Sequence, residues 1–300
     1  MISRHRCKTD LWSNWHVGNK MNTSRSAWVM VMAASLGAVN ACSKPATSTA
    51  SAAPVPTTVV ALPEAIVATA PSVGEAPSLA APPLARPAFA TDVDFATQFD
   101  GWKEYMLAQP QPAYPLNEWS RTVPAKGRLP CPDVPMVNYR GTKLKYGKTM
   151  KLYQELVPHI EKMEDIIIQV SKDVYGRAPS RLQTLGTLNC RRMRTYPTYI
   201  SEHAFANAID LAGFEFAAAT KSQRATLPKA LWGAQVVTVL GDWKGGRGNK
   251  ATHQIFLHKL IIELIKNDVF TLYLGPGFPG HEDHFHLDMS NFRMIDLSPE

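Results

Sequence analysis

Two short stretches hold the side chains best suited to metal chemistry: Ser201-Glu202-His203 with Asp210, and His281-Glu282-Asp283-His284-Phe285-His286. Side chains in an extended segment alternate faces, so His284 and His286 project to one side and Phe285 to the other. The run from Asp283 to Met289 alternates polar and apolar residues, the pattern of a half-buried strand. Asp210 interrupts a small and apolar run, Ala206 to Phe216. A carboxylate there needs a partner, because burying an unpaired charge is very costly. A divalent cation shared with His203 would be one. Two histidines and an aspartate leave a fourth tetrahedral position for water, which is how catalytic rather than structural zinc sites are built. A lone His-x-His is more often a surface or core pair; the two arms together point to a metal.

The elements that must bring these arms together can be read from periodicity. Lys148 to Val157 and Glu161 to Tyr175 have helical spacing, with Pro158 placed to open the second helix. Strands are expected over Arg181 to Asn189, Ala208 to Phe216, Val236 to Leu240, Phe270 to Leu274 and Asp283 to Met289. Gly241 to Gly246 and Gly275 to Gly280 read as turn-rich loops, the second either shaping a cleft beside His281 or merely connecting. Thr252 to Lys266 reads as an amphipathic helix with Ile255, Leu257, Leu260, Ile261, Leu264 and Ile265 on its apolar side. The expected fold is α+β: helices packed on a small, mainly antiparallel sheet whose strands carry the metal arms. No internal repeat, phosphate-binding glycine loop or nucleophilic Ser or Cys motif is present, and Ser201 reads as a hydrogen-bonding neighbour of the site.

Ser201-x-His203-x6-Asp210 with His284-x-His286 resembles the zinc peptidases of the D-Ala-D-Ala carboxypeptidase and penicillin-insensitive murein endopeptidase group, whose metal cradle the hedgehog domain shares. Within that group the chain is most similar to the bacterial extensin-like C-terminal domains. Cys190-Arg191, Ser201 to Ala204, Asn207 to Asp210, Gly213-Phe214, Asp242-Trp243 and His281 to Met289 carry the likeness, over roughly residues 125 to 297. Lysostaphin-type enzymes also use His-x-His, but their upstream pair is His-x3-Asp. The resemblance implies a Zn2+ ion held by His203, Asp210 and His286. It places His281 and His284 beside the ion, with His284 favoured as the proton acceptor over Glu282 and Asp283. It also implies an arginine that holds a substrate carboxylate or polarises a carbonyl; Arg191 is the candidate, with Arg192 and Arg194 close by. Ser201 is a further candidate for contact with substrate. Glu202 and Asp288 are expected behind the site or at the surface. The implied activity is metal-dependent hydrolysis of peptidoglycan peptides near D-amino acids, with a zinc-activated water as nucleophile. A binding module that keeps the cradle without turnover, or a lipoprotein merely stabilised by zinc, are the alternatives.

Composition says where such chemistry would occur. Residues 1–42 read as a leader and lipoprotein signal peptide, starting at Met1 or Met21: Arg25, an apolar run from Ala27 to Val39, then Val39-Asn40-Ala41-Cys42, which resembles a lipobox with Cys42 as the lipidated residue. The run is shorter than the roughly 20 residues of a comfortable membrane span, although a plain transmembrane anchor is the competing reading. Ser43 after that cysteine favours the outer membrane, hence a periplasmic domain on a lipid anchor. Residues 43–92, rich in Ala, Pro, Thr, Ser and Val, read as a disordered linker. In extended form it would span on the order of 150 Å. Residues 93–124 are a lead-in of uncertain structure, and 125–300 the zinc peptidase-like domain. Without residues 1–42, which hold five Lys or Arg and one Asp, the formal charge falls from +7 to +3. The basic balance therefore belongs to the export segment and gives no argument for nucleic acid. Apart from Cys7 and Cys42 the chain has two cysteines, Cys131 and Cys190, and in an exported protein they most simply pair; two buried thiols are the alternative.

Overall fold

The computed structural model describes residues 84–88 and 94–297, all within one compact unit, Glu75–Glu300. The signal segment, Cys42 and most of the linker lie outside the described residues. Among the described residues no helix is long and apolar enough to cross a membrane. Chain order is α1 (Phe95–Leu107), β1 (Met136–Tyr139), β2 (Met150–Tyr153), α2 (Val157–Tyr175), β3 (Arg181–Gly186), β4 (Ala208–Phe216), β5 (Gln235–Thr238), α3 (Val239–Asp242), α4 (Asn249–Lys266), β6 (Leu272–Leu274), β7 (Phe285–Asp288) and β8 (Met294–Asp296). Short 3-10 turns intervene.

The fold is α+β. A six-stranded sheet runs β3-β4-β7-β6-β8, with β5 pairing the second half of β4 while β7 pairs its first half. Every pair is antiparallel except β6–β8, which is parallel, so the sheet is mixed. β1 and β2 form a separate antiparallel ribbon.

β4 is the keystone, and its sequence shows how. Ile209 and Leu211 face the core, and so do Phe214 and Phe216, a set that slips by one residue midway. A bulge at Ala212 absorbs the slip: Gln183 pairs with Gly213 but Thr184 pairs with Leu211. A second bulge places Leu185 between Thr184 and Gly186, which restores the pairing of β3 before it reaches Asp210. Glycine is required at 213, where a Cβ would stand 2.6 Å from the Val237 carbonyl oxygen.

α2 begins with Pro158 in its first turn, where the missing N–H costs no bond, and ends on Gly176 in the left-handed region (φ 64°). Its buried Ile160, Met163, Ile167 and Val170 form one stripe. Phe256 of α4 packs edge-on to Phe214 and Phe216, while Tyr175 of α2 packs on Phe216 and Phe256. α1, in the lead-in whose structure periodicity left open, buries Phe99, Trp102 and Met106 in the same core. Cys131 and Cys190 form a disulfide with Cα atoms 5.7 Å apart. In the chain-entropy view, closing that loop stabilises the fold by about 4 kcal/mol.

Several expectations need correction. Lys148 to Val157 is not a helix: Met150–Tyr153 pairs with Met136–Tyr139 as β2, and only residues 154–156 turn before α2. Apolar residues at 150, 152, 153, 156 and 157 satisfy both periods, and strand pairing decides between them. Ile255 is 53 % exposed; the stripe of α4 runs 253, 256, 257, 260, 261 and 264, a spacing that Ile255 does not share. The strand expected over Val236 to Leu240 stops at Thr238. There the Thr238 side chain accepts the Gly241 N–H, and Asp242 Oδ2 accepts the Thr238 N–H, winding residues 239–242 into α3 and leaving residues 243–246 as the turn-rich loop expected. β7 is not half-buried: all four of its residues are buried, because polar partners cover its second face.

Candidate metal centre

The two arms meet through one strand pair. Asp210 of β4 and His286 of β7 are directly opposed in the antiparallel register, so their side chains leave the sheet side by side. His203 arrives from the preceding 3-10 turn, Glu202–Phe205, whose start is fixed by the Ser201 Oγ accepting the His203 N–H. Ala206 (φ 53°) then reverses the chain into β4 and folds His203 back over Asp210. Its small side chain limits a backbone cost of roughly 1–2 kcal/mol.

The result is a triangle: His203 Nε2 lies 3.1 Å from Asp210 Oδ1 and 3.1 Å from His286 Nδ1, which is itself 2.9 Å from Asp210 Oδ1. The outward nitrogens are both tied. His203 Nδ1 lies 3.1 Å from the Thr187 carbonyl oxygen, and His286 Nε2 lies 2.8 Å from Asp288 Oδ2. Each of those acceptors requires an N–H from the ring, which leaves a lone pair on the inward nitrogen of each neutral imidazole. With both rings neutral, two nitrogen lone pairs and a carboxylate oxygen thus converge with no donor of their own, and either a cation or a proton must join them. A cation among them resolves the repulsion. Their separations are close to the edge of a tetrahedral zinc site, about 3.3 Å for metal–nitrogen distances of 2.0–2.1 Å. His203, Asp210 and His286 can therefore hold a metal ion.

Without a metal, a proton takes the cation's place. Burial alone would raise the Asp210 pKa, but hydrogen bonds from His203 and His286 hold it well below the usual carboxylate range. Burial disfavours a charged His286 ring, yet Asp210 and Asp288 outweigh it and push its pKa up to about 10. A proton on Nδ1 is what that cluster gathers without a metal, and metal binding would displace it.

Around the triangle, His284 Nε2 lies 3.5 Å from Asp210 Oδ1, and its Nδ1 lies 2.7 Å from Asp283 Oδ1. His281 packs against both His284 and His286, at 5.0 and 5.4 Å between ring centroids. Its burial and the neighbouring imidazoles lower its pKa to about 4, so it is neutral at pH 7. Glu282 turns away to cap the Gly280 N–H.

His203 and Asp210 border an open cleft of about 470 Å³. Arg191 lines it; Arg192 does not, being spent on the carbonyls of Pro124, Lys126 and Gly127. Ser201 is buried with its Oγ on the His203 amide and is not among the lining residues. Nor is any residue of the 275–280 loop; the opposite wall is formed instead by β2 and the end of β3. Lys148 and Lys151 on that wall went unnoticed in the sequence, where the region read as a helix.

A buried network behind the site was not foreseen either. Arg121 and Glu202 form an ion pair at 2.7 Å, Asn207 donates to Glu202 Oε2 (2.8 Å) and to the Met289 carbonyl oxygen (3.0 Å), and Tyr114 donates to Asn207 Oδ1 (2.6 Å). It clamps the turn carrying His203 to the strand ends carrying Asp210 and His286. Glu202 and Asp288 are thus both buried supports rather than surface groups.

No curated protein and no solved structure matches the chain. Compared with protein families, residues 121–297 match the extensin-like protein C-terminus, a span that begins at the Arg121 of the clamp and takes in both arms of the metal centre. The chain belongs to the extensin-like C-terminal family.

Proposed function

We propose that this protein is a zinc-dependent peptidase acting on peptidoglycan peptides, tethered through a lipid on Cys42 in the periplasm. The observation that carries the reading is the triangle of inward acceptors whose imidazoles are both fixed from behind by Thr187 and Asp288. A purely structural role would not call for the open cleft that reaches His203 and Asp210.

Zinc held by His203, Asp210 and His286 would supply Lewis acidity, polarising a carbonyl and acidifying a water to a pKa of about 7. The protein's own groups do the rest. Asp283 accepts the Nδ1–H of His284 and so leaves Nε2 as a proton acceptor beside the cluster. His284 takes the proton of the attacking water and returns it to the departing amine nitrogen. Neutral His281 packs against that ring and limits its rotation. Arg191, in the cleft and next to the Cys190 disulfide, orients the peptide through a carboxylate or carbonyl oxygen.

Digestion of purified cell-wall sacculi by the zinc-loaded protein, read by mass analysis, tests the reading. Wild type should release peptide fragments; His284→Ala should keep the metal and lose at least about 100-fold in turnover. Metal-dependent retention on sacculi without fragments would mean a binding module instead.

A further inference from the structure

The cleft carries three cations without a carboxylate partner. Lys148, Lys151 and Arg191 all line it, and the one acidic side chain among the lining residues is Asp210, already committed to the metal triangle. Unpaired cations also occur elsewhere on the surface, as at Lys244; these three differ in sharing one concave cleft. Among the described residues no ion pair is formed by Lys148, Lys151 or Arg191; the Lys148 ammonium meets only the Leu185 carbonyl oxygen, at 3.1 Å. Like charges gathered on one concave surface repel one another, and an anion relieves that repulsion.

Two leucines share the cleft with them. The bulge in β3 turns Leu185 outward, 50 % exposed, and Leu188 follows at 40 % exposed, both on the cleft. β3 runs toward the metal triangle: Gly186 pairs with Asp210, and the Thr187 carbonyl oxygen orients His203. β2 is held alongside by the Thr187 hydroxyl donating to the Lys151 carbonyl oxygen. A ligand lying in the cleft therefore meets both leucine side chains and cationic residues close to the triangle.

We propose that Lys148 and Lys151 form a second anchor, separate from Arg191, for a carboxylate on the substrate's side chain, with Leu185 and Leu188 receiving an adjoining aliphatic group. This rests on the peptidase reading for the nature of the ligand: it makes the substrate an acidic peptide rather than any peptide with a D-residue. The anchor sets affinity and length preference, not the chemical step.

The test is equilibrium binding to zinc-free protein, by calorimetry, of two peptides: acetyl-Ala-D-Glu-Lys-D-Ala-D-Ala and its counterpart with D-Gln in place of D-Glu. The zinc-loaded enzyme is assayed in parallel for cleavage of both. The acidic peptide should bind about tenfold or more tightly than the neutral one, the range of a charge-assisted hydrogen bond. The preference should disappear in the Lys148→Gln/Lys151→Gln double variant and survive in Lys244→Gln, an exposed lysine outside the cleft. Equal affinities in wild type, no binding of either peptide at millimolar concentration, or a preference undiminished in the double variant would overturn the anchor. Should the double variant fail to fold, the wild-type comparison decides alone. Preferential binding without cleavage would sink the peptidase reading and leave the anchor standing; cleavage with no preference would do the reverse.

Discussion

Asp288 sends no atom into the metal triangle, yet the triangle depends on it. Its Oδ2 accepts from His286 Nε2, and its Oδ1 accepts the Ser290 N–H, so the carboxylate cannot swing away. Replacing it with alanine leaves the three ligands in place but frees the His286 ring and its tautomer. Asp288→Ala should weaken metal affinity about 10–100-fold, measured by competition with a chromogenic chelator; an unchanged affinity would show that the ring is oriented by something else. At this scale the sequence was most legible. His203, Asp210, His284 and His286 stand out because imidazoles and a carboxylate in apolar runs need partners, while the support from Asp288 was left open between the site and the surface. Thr187 left no signal, since it acts through a backbone carbonyl that every residue has. Arg121 left none either: its partner Glu202 is 81 residues away, and only the folded chain makes them neighbours.

Among the elements, α1 shows how a segment of unclear pattern becomes part of the core. Phe95 stacks on His258 of α4 at 3.8 Å between ring centroids, and the Trp243 ring meets His258 at 4.6 Å. Burial lowers the His258 pKa to about 4 from its ordinary 6.5. Between those values the unfolded chain binds a proton that the folded one refuses, so stability falls as pH drops from 6.5 to 4 and is flat with respect to this group above about pH 7. The loss is on the order of 3 kcal/mol. His258→Phe, which keeps the stacking, should flatten that part of the curve of unfolding free energy against pH; a slope unchanged from wild type would refute the assignment. Strand β4 was legible at both ends because its run of small and apolar residues has no helical alternative beside Gly213. The ribbon strand β2 was not. Its four residues, apolar at 150, 152 and 153, fit either period, and what selects the strand is β1, itself too short to be seen in advance. The parallel pairing of β8 has the same origin: three residues gain their identity from β6.

For the molecule as a whole, the α+β class could be read from the order of elements, while the mixed sheet and the placement of the cleft between β2 and β3 could not, because both depend on contacts between short segments far apart in sequence. The candidate metal centre joins β4, β7 and the turn before β4, so an ion held there would couple segments far apart in sequence. A ligand that binds only the folded state stabilises it by about 2.7 kcal/mol at a hundredfold excess over Kd. For a domain of this size that corresponds to a rise of roughly 5–10 °C in Tm on adding zinc to chelator-treated protein, followed by calorimetry. No rise at saturating zinc would mean that the ion does not bind the fold. More direct still is the metal content of the purified protein after exposure to zinc and exhaustive dialysis, compared with His203→Ala shown by circular dichroism to be folded. One zinc per chain in wild type and close to none in the variant is the expected result; wild type that retains no stoichiometric metal, or a variant that retains as much, would contradict the metal centre.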